Sequence, residues 1–281
     1  EELNPGDLLD PEISGELKSK LTGRIEFDRI TGLLARGASL AFSVEKWINK
    51  GIWITTRKDE NYPKQLLKRL GKTSPPIIYG AGDAGLLDSE GLAVVGSRNI
   101  DSEGETYTRE IGAKCANLNL TVVSGGARGV DRFAMLSCLE SQGSAIGILA
   151  DSLLRASVAG GFREAIMDNR LVLISPYNPE AGFNVGNAMS RNKYIYSFSK
   201  YGLIISAKKN KGGTWAGAIE ELRRQNGIKM FVREEGSIPD GNLELMKMGA
   251  LPFPPRPWKE TLIEDLKTDI ASLPNQSSLF E

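Results

Sequence analysis

Three short stretches carry glycine and basic residues where a main chain could meet an anion. They are "VVGSRN" (94–99), "VVSGGARGVD" (122–131) and "SAKKNKGGTWAGAIEE" (206–221). Each leaves an apolar run, passes through glycine and enters a helical pattern. Glycine lets the backbone approach a ligand closely and adopt positive φ. The helix that follows aims unpaired N–H groups and the positive end of its dipole at the same spot. Gly96, Gly125, Gly126, Gly212, Gly213 and Thr214 are therefore candidate phosphate-cradling positions. Arg98 and Arg128 lie inside two of these turns, and a guanidinium fork can hold a phosphate through two parallel hydrogen bonds. None of the turns fits the dinucleotide fingerprint G-x-G-x-x-G or a Walker A loop.

A fourth segment, "GFNVGNAMSRNKYIYSFSKYG" (182–202), adds Arg191, Asn192 and Lys193 at the start of an amphipathic helix, with Tyr194, Tyr196 and Phe198 interleaved. Cations beside aromatic rings suit single-stranded nucleic acid, where charge tracks the backbone and rings stack on bases. The plainer reading puts the rings in the core and the charges on a solvated face. Both stay open. The chain has no histidine, which removes imidazole acid–base chemistry, Ser-His-Asp and Cys-His nucleophiles and histidine metal ligands. Cys115 and Cys138 stand alone, without metal or redox spacing, and read as small core residues. No catalytic residue, metal or cofactor is assigned.

The elements that must position these turns alternate regularly. Strand-like runs fall at 75–80, 92–96, 120–125, 145–150, 171–175, 203–207 and 228–232, with helical segments between most of them. Strands apolar on both faces and separated by helices imply βαβ units, hence an α/β fold with a doubly wound, mostly parallel, extended Rossmann-like sheet. In such a sheet the carboxyl ends of the strands share one edge, and ligands bind there at the topological switch point. A small helical N-terminal domain over 1–70 precedes the sheet domain at 71–240. Residue 63 opens a helix over 62–71, and "IWITT" (52–56) reads as a small strand. A Pro-rich connector, a short helix and a tail follow at 241–281.

The bulk numbers fit an ordinary soluble protein. Thirty-five basic residues balance thirty-five acidic ones, so a polyanion must be met by a local patch. Two unpaired cysteines suit a reducing, cytoplasmic setting, and no stretch reads as a membrane span.

"AVVGSRN", "VVSGGARGVDRFAM" and "FNVGNAMSRNKYIYSFSKYGLIISA" resemble, in order, successive blocks of the DNA-processing protein A (DprA/Smf) family, and "YPKQLLKRLGKTSPPIIYGAG" resembles its pre-strand segment. The resemblance covers about residues 50 to 235. It implies non-catalytic binding of single-stranded DNA by a homodimer, with a role in DNA uptake, transformation or recombination and a RecA recombinase partner. Carried over by block, the DNA-contact positions are Ser97 and Arg98, then Ser124, Gly125 and Arg128, then Arg191, Asn192 and Lys193. Lys193 stands where the family writes arginine, which keeps the charge and loses the fork. About forty-five residues remain after the sheet, so the C-terminal winged-helix domain of many members has no counterpart here.

Two further stretches carry readings of their own. "GGTWAGAIEE" is closer to the GGT-x-x-E turn of nucleotide-binding relatives that include LOG-like phosphoribohydrolases. That makes a nucleotide sensor or an N-glycosidic hydrolase using Glu220 or Glu221 the alternative, against a solvated helix face paired with Arg223 and Arg224. The tail "QSSLF" resembles the peptide by which bacterial replication proteins bind the sliding clamp, through Gln276, Leu279 and Phe280.

Overall fold

The computed structural model describes residues 27–268 together with Asp10, Glu12 and Ile13. The residues suggested for the sliding clamp, Gln276, Leu279 and Phe280, lie outside them. The chain divides into two compact units between Gly51 and Ile52. In the first unit the described residues form two helices, Phe27–Leu34 and Gly37–Ile48.

The second unit is built on a nine-stranded sheet in the order β1-β2-β6-β5-β4-β3-β7-β8-β9. The strands are β1 (Ile52–Thr56), β2 (Ile77–Ala81), β3 (Gly91–Gly96), β4 (Thr121–Ser124), β5 (Ala145–Ile148), β6 (Leu171–Ser175), β7 (Tyr201–Ser206), β8 (Lys229–Val232) and β9 (Leu251–Pro252). From β6 to β9 every neighbouring pair is parallel, while β1 pairs β2 and β2 pairs β6 antiparallel. The central strands are short and β-branched, and β4 and β5 are buried at every residue. That is the signature of a sheet covered on both faces by crossover helices. Ala93, Val123, Ile146, Val172, Ile204 and Val232 form the middle of the core.

The chain winds outward from β3 through β4, β5 and β6, then returns to lay β7, β8 and β9 on the other side of β3. The switch point therefore lies between β3 and β7, and their carboxyl ends open a crevice. Gly96 closes β3, and the next helix, Ser102–Asn117, starts from Asp101, whose carboxylate accepts from Gly104 N at 2.7 Å.

Two expectations about organisation differ from the structure. The stretch 52–70 belongs with the sheet, because β1 pairs residue for residue with β2 (Ile52↔Ala81 to Thr56↔Ile77). Among the described residues, the stretch after 240 is no mere connector either. The helix Asp240–Lys247 and β9 complete the sheet, and Phe253 packs edge-on against Phe231 and Trp258. Within the chain's opening stretch of this unit, the helix is Lys64–Leu70 with Pro63 at its cap position.

Candidate functional site

The turns after β3, β4 and β7 meet at the switch point and are tied to one another by hydrogen bonds. Val130 N, at the end of the second turn, donates to Ser97 O in the first at 3.3 Å. Thr214 Oγ1, just past the third, donates to Gly96 O at 3.1 Å. The fourth segment joins through two neighbours: Asn192 Nδ2 donates to Gly213 O at 2.7 Å, and Arg191 Nη1 meets Asp131 Oδ2 at 3.5 Å. Four stretches far apart in sequence thus form one wall.

They enclose a cleft of about 500 Å³ whose lining includes Ser97, Arg98, Arg191, Asn192, Lys208 and Lys211. A second hollow of about 410 Å³ adjoins it across Arg98, Ala127, Phe183 and Arg191, and adds Arg132 and Arg155. The Arg98 guanidinium lies 4.7 Å from the Phe183 ring centroid, a cation–π contact at the partition. Among the described residues, the only carboxylate lining the larger cleft is Asp131, already engaged by Arg191. Arg98, Lys208 and Lys211 are exposed, and no other carboxylate of the described residues answers them in the cleft wall.

Two glycines explain the local geometry. A Cβ on Gly125 would fall 1.1 Å from Arg191 Nη1, so only glycine leaves room for that guanidinium. Gly129 has φ +88° and lies against the Ser97 and Arg98 carbonyls, which lets the second turn fold onto the first. Gly126 and Gly212 also have positive φ, and Gly213 faces Asn192.

The residues singled out from sequence divide into those facing the cleft and those committed inside the protein. Gly96, Ser97, Arg98, Asn192, Gly212, Gly213 and Thr214 line the larger cleft, and Gly125 and Gly126 the smaller. Ser97 Oγ is held locally, donating to Asn99 O and accepting from Asn99 N. Ser124 is fully buried, with its hydroxyl donated to Val94 O at 2.6 Å, so it is no surface contact. Arg191 is 4% exposed and paired with Asp131, in place of the free phosphate arm that its position suggested. Burial lowers the Arg191 pKa and raises that of Asp131, each only partly offset by the other. Asp131 thus anchors Arg191. Arg128 is exposed and donates to the Asn99 side chain, outside the lining of both hollows. Lys193 lies over the Tyr194 ring at 5.1 Å and lines neither.

Tyr194, Tyr196 and Phe198 are buried core, and burial pushes the Tyr194 hydroxyl up to about 12. The exposed apolar side chains along the cleft are Phe183, Val185 and Met189. Sequence reasoning passed over Phe183, Lys208 and Lys211. Their signal was present, as an aromatic in a polar loop and as lysines inside a glycine turn. Glu221, read as a solvated face, is 3% exposed. It accepts from Ile228 N at 2.9 Å and pairs with Arg224 at 3.1 Å and Arg69 at 3.7 Å. Neither Glu220 nor Glu221 lines the cleft. Glu221 stands seven residues past Thr214, about 10 Å along the helix Gly212–Leu222. Neither glutamate named for the hydrolase alternative is therefore placed at the cleft. Cys115 and Cys138 are buried, among described residues that hold no cluster fit for a metal ion.

Residues 53–253 match the family model "DNA recombination-mediator protein A". Protein Smf of Escherichia coli (strain K12) is 28% identical over 220 residues, which is 77% of this chain and 57% of that relative. The chain spans roughly half the length of the first curated relatives it matches, from 43% to 60%. Among solved structures, DNA processing protein A from Streptococcus pneumoniae superposes with a TM-score of 0.69 at 22% identity. The match covers 89% of this chain and 83% of that one. DNA processing protein A from Helicobacter pylori, described for its single-stranded DNA binding mode, gives 0.61 at 23% identity and covers 78% of this chain and 96% of its own. At such identities the two likenesses concern the fold.

Proposed function

The chain belongs to the DNA recombination-mediator protein A family, and from that premise we propose that it binds single-stranded DNA in the switch-point cleft, holding phosphates without chemical turnover. One observation carries the reading. Four separate segments are cross-linked into a wall whose solvent-facing cations, Arg98, Lys208 and Lys211, meet no carboxylate of their own among the described residues. A structural cluster would compensate its charges, whereas a phosphate site leaves them for the ligand. Phe183, Val185 and Met189 give bases an apolar surface beside that charge. The single-stranded DNA binding mode of the Helicobacter pylori protein speaks for the same ligand. A homodimer and a RecA contact, which the family resemblance implies, belong to the same proposal.

The test is a titration of labelled poly-dT against duplex DNA at rising salt. A single strand releases about 0.7 counterion per phosphate contact, so three cations give a log–log slope of about −2. Tighter binding of the single strand, with that slope and little sequence preference, supports the reading. Flat salt dependence, or equal affinity for duplex, overturns it.

A further inference from the structure

We propose that the larger cleft seats the phosphomonoester at the end of a strand, in addition to the diesters along it. This rests on the single-strand reading above and assigns Lys208 and Lys211 a distinct part in it.

Charge is gathered at one point of the cleft. Lys208 and Lys211 form an antiparallel bridge across one tight turn, with Lys211 N donating to Lys208 O at 3.2 Å. Directly bridged residues carry their side chains on the same side, about 5 Å apart at Cβ. Both lysines line the cleft, so two positive charges are anchored at one tight turn of its wall. Lys209, between them in sequence, is spent on Glu244 at 3.1 Å. An internal diester carries one charge. A terminal phosphate carries close to two at neutral pH and offers three acceptor oxygens.

Hydrogen-bond donors are also in surplus there. The helix Gly212–Leu222 begins at this cleft, and its cap residue Lys211 offers no side-chain acceptor. No side chain caps this end, and its first residues, Gly212, Gly213 and Thr214, line the cleft. A further donor is independent of the helix. Arg191, nine-tenths buried in the same wall, has an Nε with no hydrogen-bond partner. Buried donors on a charged group are rarely left unsatisfied, and Arg191 lines the cleft in which an acceptor would bind. The helix's first amides, Arg191 Nε, the ammonium groups of Lys208 and Lys211 and the Arg98 fork offer more donors than a diester has free oxygens. The volume, about 500 Å³, is that of a single-ligand pocket.

The experiment uses the full chain and unlabelled oligothymidylates of equal length ending in 5′-phosphate, in 3′-phosphate or in hydroxyls at both ends. Each competes with an internally labelled strand. At least one phosphorylated strand is expected to bind about fivefold tighter than the hydroxyl-ended one, the scale of two exposed charge contacts. The arm that gains names the end that is read. The double variant Lys208→Ala/Lys211→Ala brings the ratio to one, and Lys209→Ala keeps it. Equal binding of all three strands overturns the inference, as does a preference that survives the double variant. If the hydroxyl-ended strand fails to bind at all, the single-strand reading itself falls, and this inference with it.

Discussion

The two edges of the sheet carry hollows of similar size, about 500 and 520 Å³, and both are rimmed with basic side chains. At the carboxyl edge, Arg98, Lys208 and Lys211 form no ion pair among the described residues; Asp131 in the same cleft is engaged by Arg191, and Asp151 lines the adjoining hollow. At the amino edge, Arg69 and Arg224 are both held by Glu221, Arg224 reaches Glu220 at 3.3 Å, and Lys200 is bonded to Glu90. The same residue types in a similar hollow thus do opposite work. Arg69 and Arg224 fasten the helix Gly212–Leu222 through Glu221, while the cations of the carboxyl edge are, on the proposed reading, left for the charge of a ligand. A basic cluster points to a ligand only once its carboxylates have been counted.

The largest expected effect breaks the amino edge. Glu221→Ala removes the acceptor of Ile228 N and the partner of two arginines. Losing one member of a buried ion pair costs about 3 kcal/mol, read as a lower urea midpoint at unchanged slope. Affinity of the folded protein for poly-dT stays within about twofold, because that edge does not touch the strand. Loss of DNA affinity with stability intact would reverse the assignment of the two edges.

Arg98→Ala is the complementary change and is expected to cost less. It leaves the urea midpoint in place, lowers poly-dT affinity about tenfold and flattens the salt slope by about 0.7, one contact's share. An unaltered slope would mean that Arg98 serves the Phe183 ring and not a phosphate.

What could be read from the sequence follows the same division. Strands such as "LAVVG" and "LTVVS" announce themselves because both faces are apolar, and that fixes a parallel sheet with ligands at one edge. "IWITT" also reads as a strand, but only pairing with β2 places it in the sheet domain, and a partner some 25 residues away leaves no local trace. β9 is two residues long and holds Pro252, so it has no period to detect. The glycine turns were legible because each stands between a strand and a helix. The fate of Arg191 was not, because its carboxylate lies sixty residues earlier and its room depends on the missing Cβ of Gly125. The aromatics after it follow a basic cluster and look available, yet Tyr194, Tyr196 and Phe198 are all packed inward. Sequence shows which groups are charged; only packing shows which are already answered.

The smallest expected effect belongs to Arg128, which sits between the two regimes. It is exposed, yet its guanidinium is tied to Asn99, a residue of the cleft wall. Its charge acts on a bound strand through solvent, and exposed charges are largely screened beyond about 10 Å at 0.1 M salt. Arg128→Ala should therefore weaken binding about threefold at low salt, equally for all sequences, and the difference should shrink as salt rises. Asn99→Ala sharpens the point by releasing the guanidinium while keeping the charge. If Arg128 only colours the field, that variant binds like wild type. If Arg128→Ala instead matches the tenfold loss expected of Arg98→Ala and keeps it at high salt, the strand crosses the rim. The uncompensated edge is then wider than the cleft.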